Sequence, residues 1–350
     1  MLPTRTEIIL KSIVGQYISK ATPVSSQSIT EDHELRVSPA TIRNEMSYLE
    51  QEGYIIRPHP SAGSMPSDKG YRHYVGSLSN IQLPLTEQRL ISHLFHQVER
   101  ALDDWLNLAA TLIAQMVQNA AIVTMPKPKA YQFKHLELVS LQDSLVLVIL
   151  ILDGINVKQQ LITLNQIASQ AELTTVASKL TATYSGLTGS QILGKNTGLN
   201  AIEQQITDCL VKIMGTENEQ EHEERYLDGL HFVLNQPEFA HNQRMLTLME
   251  LIEQRHLLRS IVPPKLSSGR VQVIIGKENK TEAIHDYSVV ISRYGLPREA
   301  IGTICVVGPT RMPYARTIAT VGFLSLVLSG LSAKLYGREM SAELNLNTTD

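Results

Sequence analysis

The sequence predicts a multidomain α+β protein that begins with a helix-turn-helix segment followed by a β-hairpin wing. Residues 4–75 follow the order helix, helix, turn, helix, strand and turn-rich hairpin. Three strand patterns then succeed one another at 133–164, and a mainly helical stretch separates them from three more strand patterns at 269–307. The 350 residues are enough for two or three domains of ordinary size.

Helical spacing of apolar residues predicts the first two helices. Ile8, Ile9 and Ile13 recur on one face, and this first helix ends near Lys20. A short second helix over 26–32 and a turn over 34–37 complete the approach to the third helix.

The third helix has distinct start and stop signals. Ser38 is a good N-cap, and Pro39 suits the first helical position. Gly53 is a natural stop. The buried stripe consists of Ile42, Met46 and Leu49. A short strand at 54–57 and turn-rich residues at 59–66 complete the layout of a winged helix-turn-helix.

The remaining elements follow from periodicity and turn signals. Linkers are predicted at 76–86 and 125–128, with one long helix over 86–119 between them. The predicted strands are 133–141, 145–152, 155–164, 269–276, 287–294 and 300–307; the first three form an antiparallel meander. The predicted helices are 167–184, 199–214, 220–235, 239–262 and 314–336, and the polar stretch 341–350 is expected to be a flexible tail.

Composition excludes several classes of protein. With 31 Lys and Arg against 34 Asp and Glu, the net charge of −3 rules out an evenly basic coat for nucleic acid, but it permits a local DNA-binding face. The two cysteines lack CxxC spacing, which argues against disulfides and thiolate zinc sites. We expect no signal peptide, because the first residues lack an apolar h-region, and the longest apolar run, 145–152, is too short for a membrane span. We expect a cytoplasmic protein that does not bind membranes.

No enzymatic, metal or cofactor site is expected. His93 and His96 lie three residues apart but lack acidic or thiolate partners at ligand spacing. Gly308-Pro309-Thr310 lacks the lysine of a phosphate-binding loop. Arg311 and Tyr314 either line a small-molecule pocket or make structural contacts, and the absence of cofactor-specific residues favours the structural role.

The exposed side of the third helix has the residue types that read DNA. Small residues at its start permit close approach, Arg43 suits guanine, and Asn44 suits adenine. The helix N-terminus favours a phosphate. The candidate readers on this helix are Ser38, Pro39, Ala40, Thr41, Arg43 and Asn44.

Further candidates lie on or beside the wing, where they are placed for contacts with phosphates or the minor groove. They are Arg57, His59, Ser61, Lys69 and Arg72. Two readings compete with DNA binding: a helical bundle with a solvated face, and a winged fold used for protein contacts. Eight Lys and Arg balance eight Asp and Glu over residues 1–75, which weakens the electrostatic case, although the basic residues concentrate at 36–72.

Long motifs in both ends of the chain resemble the heat-inducible transcription repressor family, HrcA. They are Pro23-Val24-Ser25-Ser26, Val37-Ser38-Pro39-Ala40-Thr41-Ile42-Arg43-Asn44-Glu45-Met46, Pro58-His59-Pro60-Ser61-Ala62-Gly63, Pro66-Ser67-Asp68-Lys69-Gly70-Tyr71-Arg72-His73-Tyr74-Val75 and Val307-Gly308-Pro309-Thr310-Arg311-Met312-Pro313-Tyr314. The resemblance implies a dimeric repressor of heat-shock chaperone operons. It implies binding of double-stranded DNA at an inverted-repeat operator, and activity that is assisted by the chaperonin and lost on heat stress.

The resemblance also implies a domain organisation. We expect a winged helix at 1–75, a linker at 76–86, a discontinuous GAF-like α/β domain at 87–125 and 237–340, and an inserted dimerising domain at 126–236 with a three-stranded antiparallel sheet and helices. The family usually carries arginine where this chain has Ser64, so a DNA contact is expected to be missing there, with Arg57 or Lys69 compensating in part.

Two other functions remain open. A metabolite-sensing regulator would use the GAF-like domain as its ligand sensor, and metabolite-dependent operator affinity would reveal it. A scaffold that uses the winged fold for protein contacts would show no salt-dependent DNA binding.

Overall fold

The computed structural model describes residues 2–31, 37–59, 62–79, 81–98, 101–128, 130–153, 156–195, 198–219, 225–239, 246, 250, 270–296 and 300–335. The chain packs as two compact units. The first comprises Met1–Met125, Arg225–Gly295 and Gly302–Asp350, and the second comprises Pro126–Glu224 and Leu296–Ile301. Three sheets and surrounding helices confirm the α+β class.

The first unit begins with what we call the N-terminal head, residues 2–77. Its helices are α1 (Thr4–Lys20), α2 (Ser26–Thr30), α3 (Pro39–Gln51) and α4 (Asp68–Ser77). Between α3 and α4, strands β1 (Ile55–Ile56) and β2 (Met65–Pro66) pair antiparallel. The predicted order of helices and hairpin is therefore present. The turn predicted at 34–37 lies mostly outside the described residues.

A five-stranded sheet follows in the same unit. Its order is β7 (Arg225–Asp228), β3 (Ala120–Thr124), β10 (Ala300–Pro309), β9 (Tyr287–Leu296) and β8 (Gln272–Ile275). Helices α5 (Leu85–Gln97), α6 (Leu102–Val117) and α11 (Tyr314–Leu335) lie in this unit, and α6 packs against β3 and α11. The head shares one apolar core with α6 and α11, since Leu10, Ile113 and Leu324 belong to one buried cluster.

The second unit contains a three-stranded antiparallel meander and three helices. The strands β4 (Phe133–Gln142), β5 (Leu145–Leu152) and β6 (Asn156–Thr163) match the predicted strands closely. The helices α7 (Gln170–Tyr184), α8 (Gly189–Leu193) and α9 (Ala201–Glu219) accompany them. One sheet face, with Leu138, Val148 and Leu150, joins Leu173 and Leu210 in a buried cluster.

Two predictions about the middle of the chain are wrong. The helix predicted over 86–119 is divided, because Val98 and Ala101 adopt extended backbone between α5 and α6. In the described part of the helix predicted over 220–235, the chain instead forms strand β7 and the short helix α10 (Leu230–Leu234). Gly229 separates them with a left-handed φ of 78°. Strand β7 forms because β3, which the sequence analysis missed, offers its edge for pairing.

Other predicted features change in extent or fall outside the described part. The strand predicted over 269–276 is limited to β8, and a 3-10 turn occupies Gly276–Glu278. Of the helix predicted over 239–262, almost all lies outside the described residues, as does the predicted tail. Helix α11 is apolar and long enough to cross a membrane, yet half of its apolar window is buried inside the protein, as expected of a core helix.

Candidate nucleic-acid interface

Helix α3 is built as the sequence predicts. The Oγ of Ser38 accepts a hydrogen bond from the backbone N–H of Thr41 at 3.2 Å, and Pro39 occupies the first turn. Ile42, Met46 and Leu49 are buried. This packing leaves the opposite side of α3 facing outward.

The outward side of α3 carries the predicted readers. Ser38, Pro39 and Ala40 are exposed at its start, and Thr41 is half-buried. The exposed side chains of Arg43 and Asn44 follow, and within the described ranges neither has a hydrogen-bond or ion-pair partner in the protein. The structure thus brings these six residues together on one surface. The Ser38 and Thr41 hydroxyls lie 2.9 Å apart and hydrogen-bond to each other.

A carboxylate that the sequence analysis did not single out ties α3 to α1. Glu45 accepts hydrogen bonds from the Thr6 hydroxyl at 2.7 Å and from the Arg5 guanidinium at 2.6 Å. The hydrogen bond from Thr6, and then the hydrogen bond and charge of Arg5, lower the pKa of this carboxyl against the opposing effect of burial. These contacts fix the position of the outward face relative to the rest of the head.

The hairpin after α3 is hydrogen-bonded to the segment between α1 and α2. The backbone of Ser64 exchanges two hydrogen bonds of 2.8 Å with Val24. A Cβ atom on Gly63 would lie 2.6 Å from the carbonyl oxygen of Val24, so only glycine fits. Ser64 itself is fully buried, and its hydroxyl has no hydrogen-bond partner among the described residues. The Ser64 side chain therefore lies inside the head and not on its surface.

The predicted wing residues meet different surroundings. Arg57 forms an ion pair of 3.1 Å with Glu50, and the two side chains are 32% and 37% exposed. Lys69 donates a 2.6 Å hydrogen bond to the carbonyl of Glu52 and lies 4.2 Å from the centroid of the Tyr54 ring. His59 is exposed and interacts with neighbouring protein groups. Ser61 lies outside the described residues.

Arg72 is engaged away from the hairpin. Its guanidinium forms a bidentate ion pair with Glu278, with 2.7 Å between Nε and Oε1, and donates a 2.7 Å hydrogen bond to the carbonyl of Val273. No local signal in the sequence announces this contact, since the two partners are 206 positions apart.

Arg311 and Tyr314 make structural contacts, as the sequence analysis favoured. Arg311 forms an ion pair with Glu238 and donates a 3.3 Å hydrogen bond to the carbonyl of Ile18. Tyr314 is fully buried and its hydroxyl lies 2.7 Å from the Ser288 hydroxyl. Burial raises the pKa of Tyr314. Among the described residues, no cluster of His, Cys, Asp and Glu could hold a metal ion.

Comparison with known proteins points to one family. The model of the HrcA protein C-terminal domain matches residues 103–318. The heat-inducible transcription repressor HrcA of Dehalococcoides mccartyi is 54% identical over 338 residues, which cover 97% of this chain and 98% of the relative. Its counterpart from Roseiflexus castenholzii is 39% identical over 347 residues, covering 97% and 96%.

A solved structure supports the fold. A crystal structure described as that of a hypothetical protein is 22% identical, covers 95% of this chain and 99% of its own chain, and superposes with a TM-score of 0.64. At this identity the similarity concerns the fold alone.

Proposed function

The chain belongs to the HrcA family of heat-inducible transcription repressors, and from this premise we propose that its head is a winged helix that reads an operator with α3. As a member of this family, the protein is a transcription repressor of heat-shock genes. We propose a cytoplasmic location, where the DNA of a bacterial cell lies.

The observation that carries the DNA-binding proposal is the outward side of α3. Arg43 and Asn44 are exposed one turn after a capped helix start, and the described part of the chain offers neither side chain a polar partner. In a helix-turn-helix, residues near the start of the recognition helix contact base edges in the major groove, where arginine pairs with guanine and asparagine with adenine. We assign phosphate contacts at the groove edge to Ser38 and Thr41, whose exposed and half-buried side chains lie at the start of α3.

We assign the wing contacts to Arg57, His59, Ser61 and Lys69. The ion pair of Arg57 with Glu50 is solvent-exposed and therefore weak, so a DNA phosphate can compete for the arginine. We leave Arg72 out of this interface, because Glu278 and the Val273 carbonyl already occupy its guanidinium.

The second unit supplies the proposed dimer contact. On β5, buried residues alternate with half-buried Leu145, Leu147, Ile149 and Ile151 on the other face of the sheet. Leu147 lies between Val139 and Leu161 of the neighbouring strands, which are 38% and 56% exposed. An apolar face of this kind favours burial against a second copy of the chain. A two-fold dimer would present two heads to an inverted-repeat operator.

The dimer proposal is tested by substitution on this face. Leu161→Arg is expected to shift the protein from dimer to monomer in sedimentation, because a desolvated charge would oppose the contact. Leu193→Arg is the matched control, since Leu193 is 69% exposed on α8 and not part of the sheet. A dimer that tolerates Leu161→Arg would refute the assignment.

The DNA-binding proposal is tested by footprinting the purified protein on its own chaperone promoters. Protection of an inverted repeat that survives an excess of unrelated DNA is expected. Binding that does not distinguish the promoter from scrambled DNA would leave the protein-contact scaffold as the better reading.

We also propose that the chaperonin assists the repressor. Multidomain chains with apolar strands such as β5 tend to aggregate when they unfold, so a refolding partner would raise the active fraction. Operator occupancy should fall with temperature and recover with free chaperonin, and added unfolded client should cancel the recovery. Operator occupancy that does not change when chaperonin is added would contradict the proposal that the chaperonin assists the repressor.

One observation favours the second candidate function, a ligand sensor. A cavity of about 610 Å³, within the range of small-molecule sites, lies in the first unit. Its apolar wall includes Val75, Leu78, Val271 and Ile318. Operator affinity that changes on addition of a metabolite extract, with no chaperonin present, would favour this alternative.

A further inference from the structure

Helix α4 joins the head to the five-stranded sheet through a set of contacts that we call the seam. On α4, Arg72 pairs with Glu278 and with the carbonyl of Val273. The carboxylate of Asp68 accepts a 3.0 Å hydrogen bond from the backbone N–H of Lys277. Both links end on β8 or on the turn that follows it, 201 to 209 positions along the chain.

Two buried tyrosine side chains lie at the centre of the seam. The ring of Tyr71 lies 5.7 Å from that of Tyr314 at an angle of 55°, and both side chains are buried. Gly276 has a φ of +51°, and a Cβ atom there would lie 2.3 Å from the Asp68 carboxylate. The backbone of the turn therefore approaches α4 as closely as glycine allows.

The second partner of Glu278 makes the acceptor rigid. One oxygen of its carboxylate also accepts a 2.8 Å hydrogen bond from the backbone N–H of Ile275, which holds the carboxylate independently of Arg72. A bidentate guanidinium–carboxylate pair constrains direction as well as distance. The Arg311 contact with Ile18 adds a link to the end of α1.

We propose that Arg72 and Glu278 are positioning residues for operator binding: their ion pair fixes the direction in which α3 faces relative to the five-stranded sheet. This inference rests on the proposed function of α3. Two heads bind two half-sites together only when their spacing and orientation suit the duplex. A head that is already held in one orientation loses little conformational entropy on binding the operator. A head without the ion pair must be ordered on binding, and the lost entropy weakens affinity.

Glu278 gives the most discriminating test, because direct electrostatics and positioning predict opposite signs. Removing an acidic charge near DNA would tighten binding if charge alone mattered. Positioning predicts instead that Glu278→Gln and Arg72→Gln each weaken binding to the two-half-site operator by about tenfold. The double variant should be no weaker than Arg72→Gln alone, because that substitution already removes the ion pair together with the hydrogen bond to the Val273 carbonyl.

The second readout is a DNA fragment with a single half-site. Seam variants should bind it as tightly as the unmodified protein and with the same salt dependence, since each head keeps its own contacts. Loss of a phosphate contact would instead weaken both DNAs and reduce the salt slope by about one. Equal losses on both fragments, or tighter binding by Glu278→Gln, would overturn the proposal.

Folding and the DNA-binding premise are checked separately. Arg72→Lys replaces Arg72→Gln if the glutamine variant proves unstable. It retains the charge but not the bidentate geometry, so an intermediate loss of operator affinity is expected. If Arg43→Ala weakens operator binding and the seam variants do not, only the positioning proposal fails. If Arg43→Ala has no effect, the reader assignment fails.

In that second case, amide hydrogen exchange tests the seam without DNA. Exchange should be faster in α4 of Arg72→Gln, while β3 and β10 remain protected. Unchanged exchange in α4 would refute the positioning role of the ion pair.

Discussion

Arg43 on α3 and Arg72 on α4 belong to one small head, yet their guanidinium groups meet opposite surroundings. Arg43 is exposed, and the described part of the chain offers it no partner, whereas Arg72 is held by Glu278 and the Val273 carbonyl. Both residues lie in the sequence motifs that carry the resemblance to the family. The difference shows that two basic residues of the proposed DNA-binding head differ in availability, because a bidentate pair with a carboxylate from a distant segment holds one of them.

The largest expected effect is on stability, at Tyr71 of α4, because α4 is packed against the rest of the unit whereas the outward side of α3 is exposed. Tyr71→Ala should lower the free energy of unfolding by about 3–5 kcal/mol, because it leaves a large cavity where α4 meets α11. Urea unfolding measures this loss. Tyr71→Phe is the control and should change stability little, since the Tyr71 hydroxyl has no hydrogen-bond partner among the described residues. A cost below about 1 kcal/mol for the alanine variant would show that α4 is not anchored here.

The next largest effect is expected on operator binding, from a substitution on the outward side of α3. Arg43→Ala should cost about 1–3 kcal/mol of binding to the operator and relax the base preference at one position, while the free energy of unfolding stays unchanged. Competition between operator and single-base variants measures it. Gln51→Ala, at the far end of the same exposed face, is the matched control. Intact base preference in Arg43→Ala would mean that α3 is not the reader.

A smaller effect concerns the attachment of α3 to α1. The pKa of Glu45 is lowered, so its contacts stabilise the fold while the carboxylate is ionised, above its unfolded pKa of roughly 4.3. That stability is lost as the pH falls through the lower, folded pKa. At pH 7, Glu45→Gln should be less stable than the unmodified protein by on the order of 1 kcal/mol, and the gap should narrow as the pH falls below about 4. Urea midpoints at several pH values measure the gap, and one that does not depend on pH would contradict the assignment.

The smallest effect is expected at Lys69, which lies on α4 like Arg72 but faces Tyr54. Lys69→Ala should weaken all DNA about equally and reduce the salt slope by about 0.9, as expected for one lost phosphate contact. Stability should change by about 1 kcal/mol, because the exposed cation–π contact and the exposed hydrogen bond to the Glu52 carbonyl each contribute little. A loss confined to the operator would place Lys69 among the base readers instead.

Local patterns were sufficient for much of the fold. The stripe Ile42, Met46 and Leu49 predicted the buried side of α3, and its complement predicted the exposed side that the structure shows. The apolar run 145–152, bounded by turn residues on both sides, predicted β5 within its observed bounds. The α3 prediction succeeds because periodicity along a helix determines which face is buried, and the β5 prediction succeeds because a short apolar run between turns is typical of a buried strand.

Strands β3 and β7 could not be predicted in the same way. Ala120–Thr124 is buried at every position, so it shows no alternation and resembles the end of the preceding helix. Arg225–Asp228 is a four-residue edge strand whose polar ends resemble a helix start. Each exists because it pairs with a segment distant in sequence, and single-sequence periodicity has no information about that partner.

The sequence by itself determined the family, the helices and hairpin of the head, the three-stranded meander and the candidate readers on α3, because these depend on neighbouring residues or on long motifs. Only the tertiary structure decided which residues of the wing and α4 are buried or paired. Ser64 is buried by pairing with Val24, and Arg72 is turned away from the hairpin by Glu278. Both outcomes arise from contacts between segments far apart in the chain, where folding brings charge and hydrogen-bond partners together that no local pattern links.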